Sequence, residues 1–317
     1  MSGTQWYKGN IHTHTTKSDG DEDPHKVVNW YRKHGYDFLV LSDHNHLTLL
    51  EYGSGRRRFR KPLMVPGEEV SVNIHGGETP VHINGVGISR VVEPIDAGDV
   101  VATLQANVDA IVQAGGVASI NHPNFKWAFD HREISRVEGA SLLEVFNGHP
   151  GTNLYGAPGR PSCEAIWDGV LSAGRVIFGV ATDDSHNYHD FVPWLSNPGR
   201  GWVMVQADEL TQEAIVDGLA SGRFYASTGV TLTKLECSAE GIELEIDQER
   251  DFIYTTQFTG KEGVLLAEST GLDAQYMADG CEDYVRATVI SSSGPRAWTQ
   301  PVFPARARLG RDAGSES

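Results

Sequence analysis

The sequence predicts an α/β fold in two parts: a strand–helix unit over residues 1–228, then a small antiparallel β-sandwich over residues 229–317. Three observations predict it. Short apolar runs alternate with helical patterns through the first two-thirds of the chain, as in a largely parallel sheet, open or closed into a barrel. Nearly every residue able to ligate a metal falls at or just after the C-terminal end of such a run. Barrel enzymes carry their chemistry there, which favours the barrel. After about Thr228 the runs become short and alternating, separated by Gly, Asp and Ser, which is the pattern of a sandwich.

The predicted strands of the first part are 10–13, 37–42, 63–70, 81–88, 117–121, 142–146, 176–182 and 201–205. Pro24 opens a helix with Val27, Val28 and Tyr31 on one face and Gly35 just past its end. Residues 99–114 form a second, closed by Gly115-Gly116, and residues 162–173 a third, closed by Gly174. On a fourth, residues 211–221, Ala214, Ile215, Gly218 and Leu219 share a face. The sandwich runs are 232–235, 242–246, 252–256, 263–266 and 284–290, and the polar tail from Arg311 reads as frayed. The sandwich carries no identifiable catalytic group. It is expected to pack on the first part or to form a contact in a homo-oligomer.

Composition narrows the function. The 317 residues carry 42 acids against 26 bases, a net charge of −16, which argues against a nucleic-acid polymer as partner. No stretch approaches a membrane span. The opening MSGTQWYKGN has neither the basic nor the apolar region of a signal peptide, so no leader is expected. The three cysteines, Cys163, Cys237 and Cys281, form no CxxC pair, which points to a reducing compartment, the cytoplasm. The one basic run, Arg56-Arg57-Arg58 with Arg60 and Lys61, reads as a solvated loop or as an arm that meets a phosphate-bearing substrate. Phe59 alone is too little aromatic interleaving for a nucleic-acid track.

The thirteen histidines matter by their placement. His12 and His14 are one residue apart on a predicted strand, and a period of two turns both imidazoles to one face. Asp19 follows in a Ser-Asp-Gly turn. Ser42-Asp43-His44-Asn45-His46 ends the next strand. Glu69 lies in Pro-Gly-Glu-Glu-Val-Ser, His82 in Val-His-Ile-Asn-Gly and His122 in Asn-His-Pro. Asp184 and His186 form a second i, i+2 pair. Any one fragment is commonplace, but six of them ending the strands of one alternating pattern imply a metal centre. Nitrogen and oxygen ligands without thiolate suit Zn, Mn or Fe.

The series HTH, SDG, SDHN, GEEVS, VHING, NHP and DDSH, in that order over residues 9–188, resembles the PHP (polymerase and histidinol phosphatase) superfamily. The stretches NWYRKHGYDFLVLSDHN, LLEVFNGHP and GRFYASTG are most similar to its CehA/McbA-like metallohydrolase branch. The resemblance implies a distorted (β/α)7 barrel holding two to three divalent metal ions. His12, His14, Glu69 and Asp184 would hold the first. Glu69 would bridge to a second, completed by His82 and His122. Asp19, His44 and His186 would hold a third. The motif spacing favours Glu69 over Glu68 and Asp184 over Asp183, leaving Glu68 and Asp183 structural. Asp43 is expected to orient a ligating imidazole.

The implied function is a metal-dependent hydrolase, most simply a phosphoesterase acting on a small-molecule ester. A water bridging the cations would lose a proton near neutral pH and attack, so no Ser or Cys nucleophile is needed. Asp184, Glu69 and His186 are the residues on which turnover would depend. Superfamily phosphoesterases acting on nucleotides often carry an Arg two residues after the His-Pro. Phe125 stands there, with Lys126 or Arg200 able to take its role. His46 and His149 lie in loops beside the motifs and are candidates to line the pocket. Phe125, Trp127 and Phe129 form either an aromatic wall or ordinary packing. Two alternatives stand beside the phosphoesterase: a carboxyl or carbamate ester hydrolase on the same metals, and a metal-binding module without turnover.

Overall fold

A computed structural model describes residues 4–50 and 62–304. The basic run at 56–61 and the C-terminal tail lie outside the described residues. In chain order the elements are β1 (Gln5–Asn10), α1 (Pro24–Lys33), β2 (Phe38–Leu39), β3 (Leu63–Met64), β4 (Gly67–Ile74), β5 (Thr79–Val86), α2 (Val100–Gln113) and β6 (Val117–Ile120). Next come α3 (His131–Ile134), β7 (Ala140–Asn147), α4 (Cys163–Ser172), β8 (Phe178–Thr182), β9 (Trp202–Ala207), α5 (Gln212–Ala220) and β10 (Phe224–Ser227). The C-terminal part holds β11 (Leu232–Ser238), β12 (Gly241–Ile246), β13 (Tyr254–Thr259), β14 (Leu265–Thr270), β15 (Asp273–Met277), β16 (Arg286–Ser291) and β17 (Arg296–Trp298). Each long helix opens on a polar cap: Asp23 accepts from His25 N, Asp99 from Ala102 N, Ser162 from Ala165 N and Thr211 from Ala214 N. Each such cap is worth about 1 kcal/mol.

The strands form a mixed α/β architecture of three sheets. A nine-stranded sheet runs β14-β13-β16-β17-β10-β9-β1-β2-β3, a five-stranded sheet runs β4-β5-β6-β7-β8, and a three-stranded sheet runs β11-β12-β15. The expected parallel pairing holds for β1–β2–β3 and for β6–β7–β8. It fails for β4–β5–β6 and for β1–β9–β10, which are antiparallel. The three-residue turn His75–Gly77 joins β4 to β5, and a parallel pair would need a crossover of about a dozen residues or more. The predicted strand at 63–70 is two strands, because Pro66 has no N–H to give a ladder. Strands β10, β15 and β17 were not predicted.

Among the described residues no single ladder closes on itself. Two isolated parallel bridges, Thr13–Ser185 and His44–Glu69, join the nine-stranded and five-stranded sheets beyond the ends of β1 and β2. Between these sheets lies a core of Ile11, Phe38, Val40, Leu142, Val180 and Val203. A second core, with Leu104, Val108, Ile111, Ile166 and Trp167, sits between the five-stranded sheet and helices α2 and α4. The nine-stranded sheet continues across residue 228, since β10 pairs with β17 through Ala226–Trp298 and Ser227–Ala297. The change of texture there is not a break in the sheet. Strands β11 and β12 pack their apolar faces on β13 and β16, burying Leu244, Ile246, Phe258 and Val289.

Candidate metal centre

The two i, i+2 pairs lie side by side. Strand β1 ends at Asn10, so His12 and His14 sit just past it rather than on it. The segment is still extended. Asp184 N donates to His12 O and His14 N to Ser185 O, both at 2.9 Å. Alternation then sorts the side chains. His12, His14 and Asp184 turn to one side. Thr13 and Ser185 turn to the other, where they bond each other, Tyr31 and Tyr188. Asp183 also faces backward, accepting from Tyr31 Oη at 2.7 Å and Gly201 N at 2.9 Å. The same rule separates the glutamates of β4: Glu68 accepts from Val92 N, while Glu69 faces the histidines. Glu68 and Asp183 are thus bonded away from the cluster.

Glu69 and His82 depart from the rule that ligands end strands. They sit within the antiparallel β4–β5 pair, where Glu69 pairs with Asn84 and Ser71 with His82. His122 follows β6 on a backbone with φ of 22°, and Asp184 has φ of 48°. Such left-handed conformations cost about 1–3 kcal/mol each and concentrate at functional sites. Asp19 is placed by a tight turn in which Gly20 lies against the His14–Thr15 backbone, where a Cβ would meet His14 C at 2.7 Å.

All nine predicted ligands fall in one cluster. His12 Nε2 lies 3.4 Å from Glu69 Oε1 and 3.3 Å from Asp184 Oδ1. His14 Nε2 lies 3.5 Å from Glu69 Oε2 and 3.3 Å from Asp184 Oδ1. Two donors of a tetrahedral cation site at ~2.1 Å stand about 3.4 Å apart, and each of these four pairs has that spacing, His12 and His14 meeting different oxygens of Glu69. Glu69 Oε1 is also 3.2 Å from His82 Nδ1 and from His122 Nε2. Donor atoms of His14, Asp19, His44 and His186 form another group, all within 4.8 Å of one another. Buried His12 Nε2, His14 Nε2, Glu69 Oε2 and both His82 nitrogens have no hydrogen-bond partner. Buried polar atoms left unpaired are costly, so their convergence on one space fits a resident cation.

The charges agree with this. Burial alone would raise the Asp184 and Glu69 carboxyls. The His12 charge and the adjacent His14 ring hold Asp184 well below the usual range. His44, His12 and His82 do the same for Glu69. Burial opposes charge on His44, yet Glu69 and Asp19 hold that ring at about 10. Burial, aided by His186, pushes His14 down to about 4, which leaves one of its ring nitrogens with a free lone pair. Protons and cations compete for the same lone pairs here.

Glu144 is a functional residue that the sequence reading did not single out. It is fully buried on β7 and accepts from His12 Nδ1 at 2.6 Å. Thr182 Oγ1 at 2.6 Å, His122 N at 2.7 Å and Asn147 Nδ2 at 2.8 Å complete its shell. A carboxylate behind a ligating imidazole fixes its tautomer and turns Nε2 to the metal. The available signal was one glutamate inside the apolar run Leu142–Glu144–Phe146. Asp43 was expected in this role, but its partners are Thr15, Ser18 and Thr48. It braces the loop that carries Asp19.

No family model matches the sequence, and no curated protein does. Solved structures do share its architecture. A two-domain protein from Bacteroides vulgatus, described as containing a predicted PHP-like metal-dependent phosphoesterase, aligns over 91% of this chain and 91% of its own. The identity is 16% and the TM-score 0.52. The chain has a PHP-like fold. At that identity the likeness is one of architecture, and it takes in the C-terminal strands as well. Looser alignments cover 60% of the chain. One is to an amidohydrolase from Chromobacterium violaceum with bound sulfate and no metal (93% of that chain, 18% identity, TM-score 0.41). Another is to a candidate metal-dependent phosphoesterase from Bifidobacterium adolescentis (92% of that chain, 15% identity, TM-score 0.41).

The cluster opens into a cleft of about 290 Å³. Beside the ligands, Asn73, Phe125, Lys126, His149 and Thr152 line it. Phe125 stands edge-on to His122, ring centres 5.4 Å apart. Lys126 and Trp127 both have positive φ, 52° and 56°. Two other predicted substrate contacts are elsewhere. Arg200 does not line the cleft. Its guanidinium donates to Gly148 O, Val192 O and Asn197 Oδ1, so both of its terminal nitrogens are engaged by the protein. The Gly-Arg-Gly backbone must stay close to Asp183 to satisfy that buried acid, which fixes Arg200 there. His46 is exposed and outside the cleft lining. Trp127 also lies outside the lining, beneath Arg160, and Phe129 is buried in the core.

Proposed function

We propose that the chain is a metal-dependent phosphoesterase acting on a small-molecule ester, with its first 228 residues a distorted PHP barrel and its C-terminal strands a sandwich. One observation carries the reading. Beside its candidate ligands the cleft is lined by side chains that offer N–H donors and no carboxylate. The Lys126 ammonium has no carboxylate partner among the described residues, although the chain is strongly acidic. Asn73 and His149 add an amide and a ring N–H. Such a wall suits an acceptor-rich group such as a phosphate. The Bacteroides vulgatus protein, described as a predicted phosphoesterase, is consistent with it.

His12, His14, Glu69 and Asp184 would hold one cation, Glu69, His82 and His122 a second, and Asp19, His44 and His186 a third. Zn, Mn or Fe suits this donor set. Bound cations would lower the pKa of a water toward ~7 and take up charge developing on the phosphoryl group. The protein's own part is positional. Glu144 orients His12, and Phe125 covers His122. Lys126 attracts the anion, and the narrow cleft limits water and admits only a small ester. Asp184, Glu69 and His186 are the side chains whose loss should stop turnover.

The test is a hydrolysis panel with Mn, Zn or chelator, comparing an aryl phosphomonoester, an aryl phosphodiester and an aryl carboxyl or carbamate ester. Chelator-sensitive release from a phosphate ester is expected. Lys126→Ala should raise KM by about tenfold or more, since it deletes a charged hydrogen bond. Release from the carbon ester alone would replace this reading with an ester hydrolase whose pocket is built on Phe125.

A further inference from the structure

We propose that His149 is a fixed, uncharged hydrogen-bond donor that grips a phosphoryl oxygen of the substrate; this rests on the phosphoesterase reading above. The backbone of His149 is tied directly to the metal centre. Its N–H donates to Asn147 Oδ1 at 2.8 Å. The Asn147 amide in turn donates to Glu144 Oε2 at 2.8 Å and to the ligand Asp184 Oδ2 at 3.1 Å. One asparagine therefore sets the position of a cleft histidine against the residues that hold the cations.

The ring is fixed separately. Gly151 N donates to His149 Nδ1 at 3.0 Å. An imidazole nitrogen that accepts a hydrogen bond carries no proton, so the ring's proton resides on Nε2. Protonating Nδ1 would set two N–H groups against each other, so the ring stays neutral. Gly151 is what allows the approach: a Cβ there would stand 3.0 Å from Cε1 and 3.2 Å from Nδ1 of His149. His186 packs edge-on, ring centres 5.6 Å apart. Among the described residues Nε2 has no hydrogen-bond partner, and the ring lines the cleft. An uncharged N–H suits this place better than an imidazolium. It binds a phosphoryl oxygen without adding a positive charge beside divalent cations.

The experiment is calorimetric binding of inorganic phosphate to the metal-loaded protein, with metal content measured on the same samples. His149→Ala should weaken phosphate about tenfold to a hundredfold while keeping its metals. His149→Gln, whose amide reaches near the Nε2 position, should recover part of the loss. Gly151→Ala, which displaces the ring without deleting it, should give a smaller loss than His149→Ala. Wild-type affinity in a fully metallated His149→Ala protein would overturn the proposal alone. Loss of metal in that variant, with no rescue by glutamine, would reduce His149 to a structural role. A wild-type protein that neither binds phosphate nor cleaves a phosphate ester would sink the phosphoesterase reading itself.

Discussion

Two clusters of buried charge lie in this molecule, and they are finished differently. One joins α4 to the C-terminal strands. Arg286 on β16 makes a two-pronged bond to Asp168, Nε–Oδ1 and Nη2–Oδ2 both at 2.7 Å. It also donates to Glu164 at 3.0 Å, and Tyr284 Oη donates to Asp168 at 2.9 Å. Every charge there has its partner on the protein. In the candidate metal centre three acids and six histidines converge, and several buried atoms have no hydrogen-bond partner. The first cluster is closed and holds two parts of the chain together. The second is left open, in a form that could hold cations. Burial of charge does not by itself mark a functional site; an unfilled bonding capacity does.

The largest effect should come from the open cluster. Glu69→Gln or Asp184→Asn should lower turnover more than about a thousandfold, because several kcal/mol of cation-derived stabilisation is lost. Metal analysis should show fewer ions per chain. Retained metal with lost turnover would mean that these acids do more than ligate. Next, Arg286→Ala should destabilise the fold by about 3–5 kcal/mol, since it strands a buried carboxylate. Thermal melting would read that, and metal content should not change. A third test is chelation. At a cation concentration a hundredfold above its Kd the bound state gains about 2.7 kcal/mol, so chelator should lower Tm by roughly 4 °C in a chain of this length. No shift would mean that the unpaired histidines tolerate their state. Glu144→Gln is expected to weaken metal binding about 10- to 100-fold with the fold intact. Smallest of all, Arg286→Met with Asp168→Leu should cost less than either single change, since a buried pair replaced by apolar groups is often close to neutral (within about 1–4 kcal/mol).

The contrast also explains what the sequence could reveal. The open cluster was legible because metal ligands must be particular residue types at spacings set by the backbone. His12 and His14, or Asp184 and His186, show the period of two in plain text. The choices of Glu69 over Glu68 and Asp184 over Asp183 came instead from the motif spacing of the family resemblance. The closed cluster was not legible. Arg286, Asp168 and Glu164 lie on elements that meet only through the tertiary fold, and each looks like an ordinary surface residue in the sequence. Glu144 was missed for a related reason, as a lone acid with no repeat around it. Arg200 was overvalued because an arginine beside a motif gives no sign of the carbonyls that surround it. In the fold, the antiparallel β4–β5 pair was hidden by Pro66, which divides one continuous apolar run. Strands β15 and β17 are too short or too polar to stand out.

The bridge from Thr13 to Ser185 has a consequence for how the molecule comes into being. It closes contacts between side chains 172 residues apart in the chain. At about 5–20 residues per second, the ribosome delivers Ser185 roughly 10–35 s after Thr13. Through that interval His12 and His14 have emerged without Asp184, so the first cage cannot form. Cation uptake by this cluster would therefore be a late event in biogenesis, and its rate should report on long-range closure of the chain rather than on any local element.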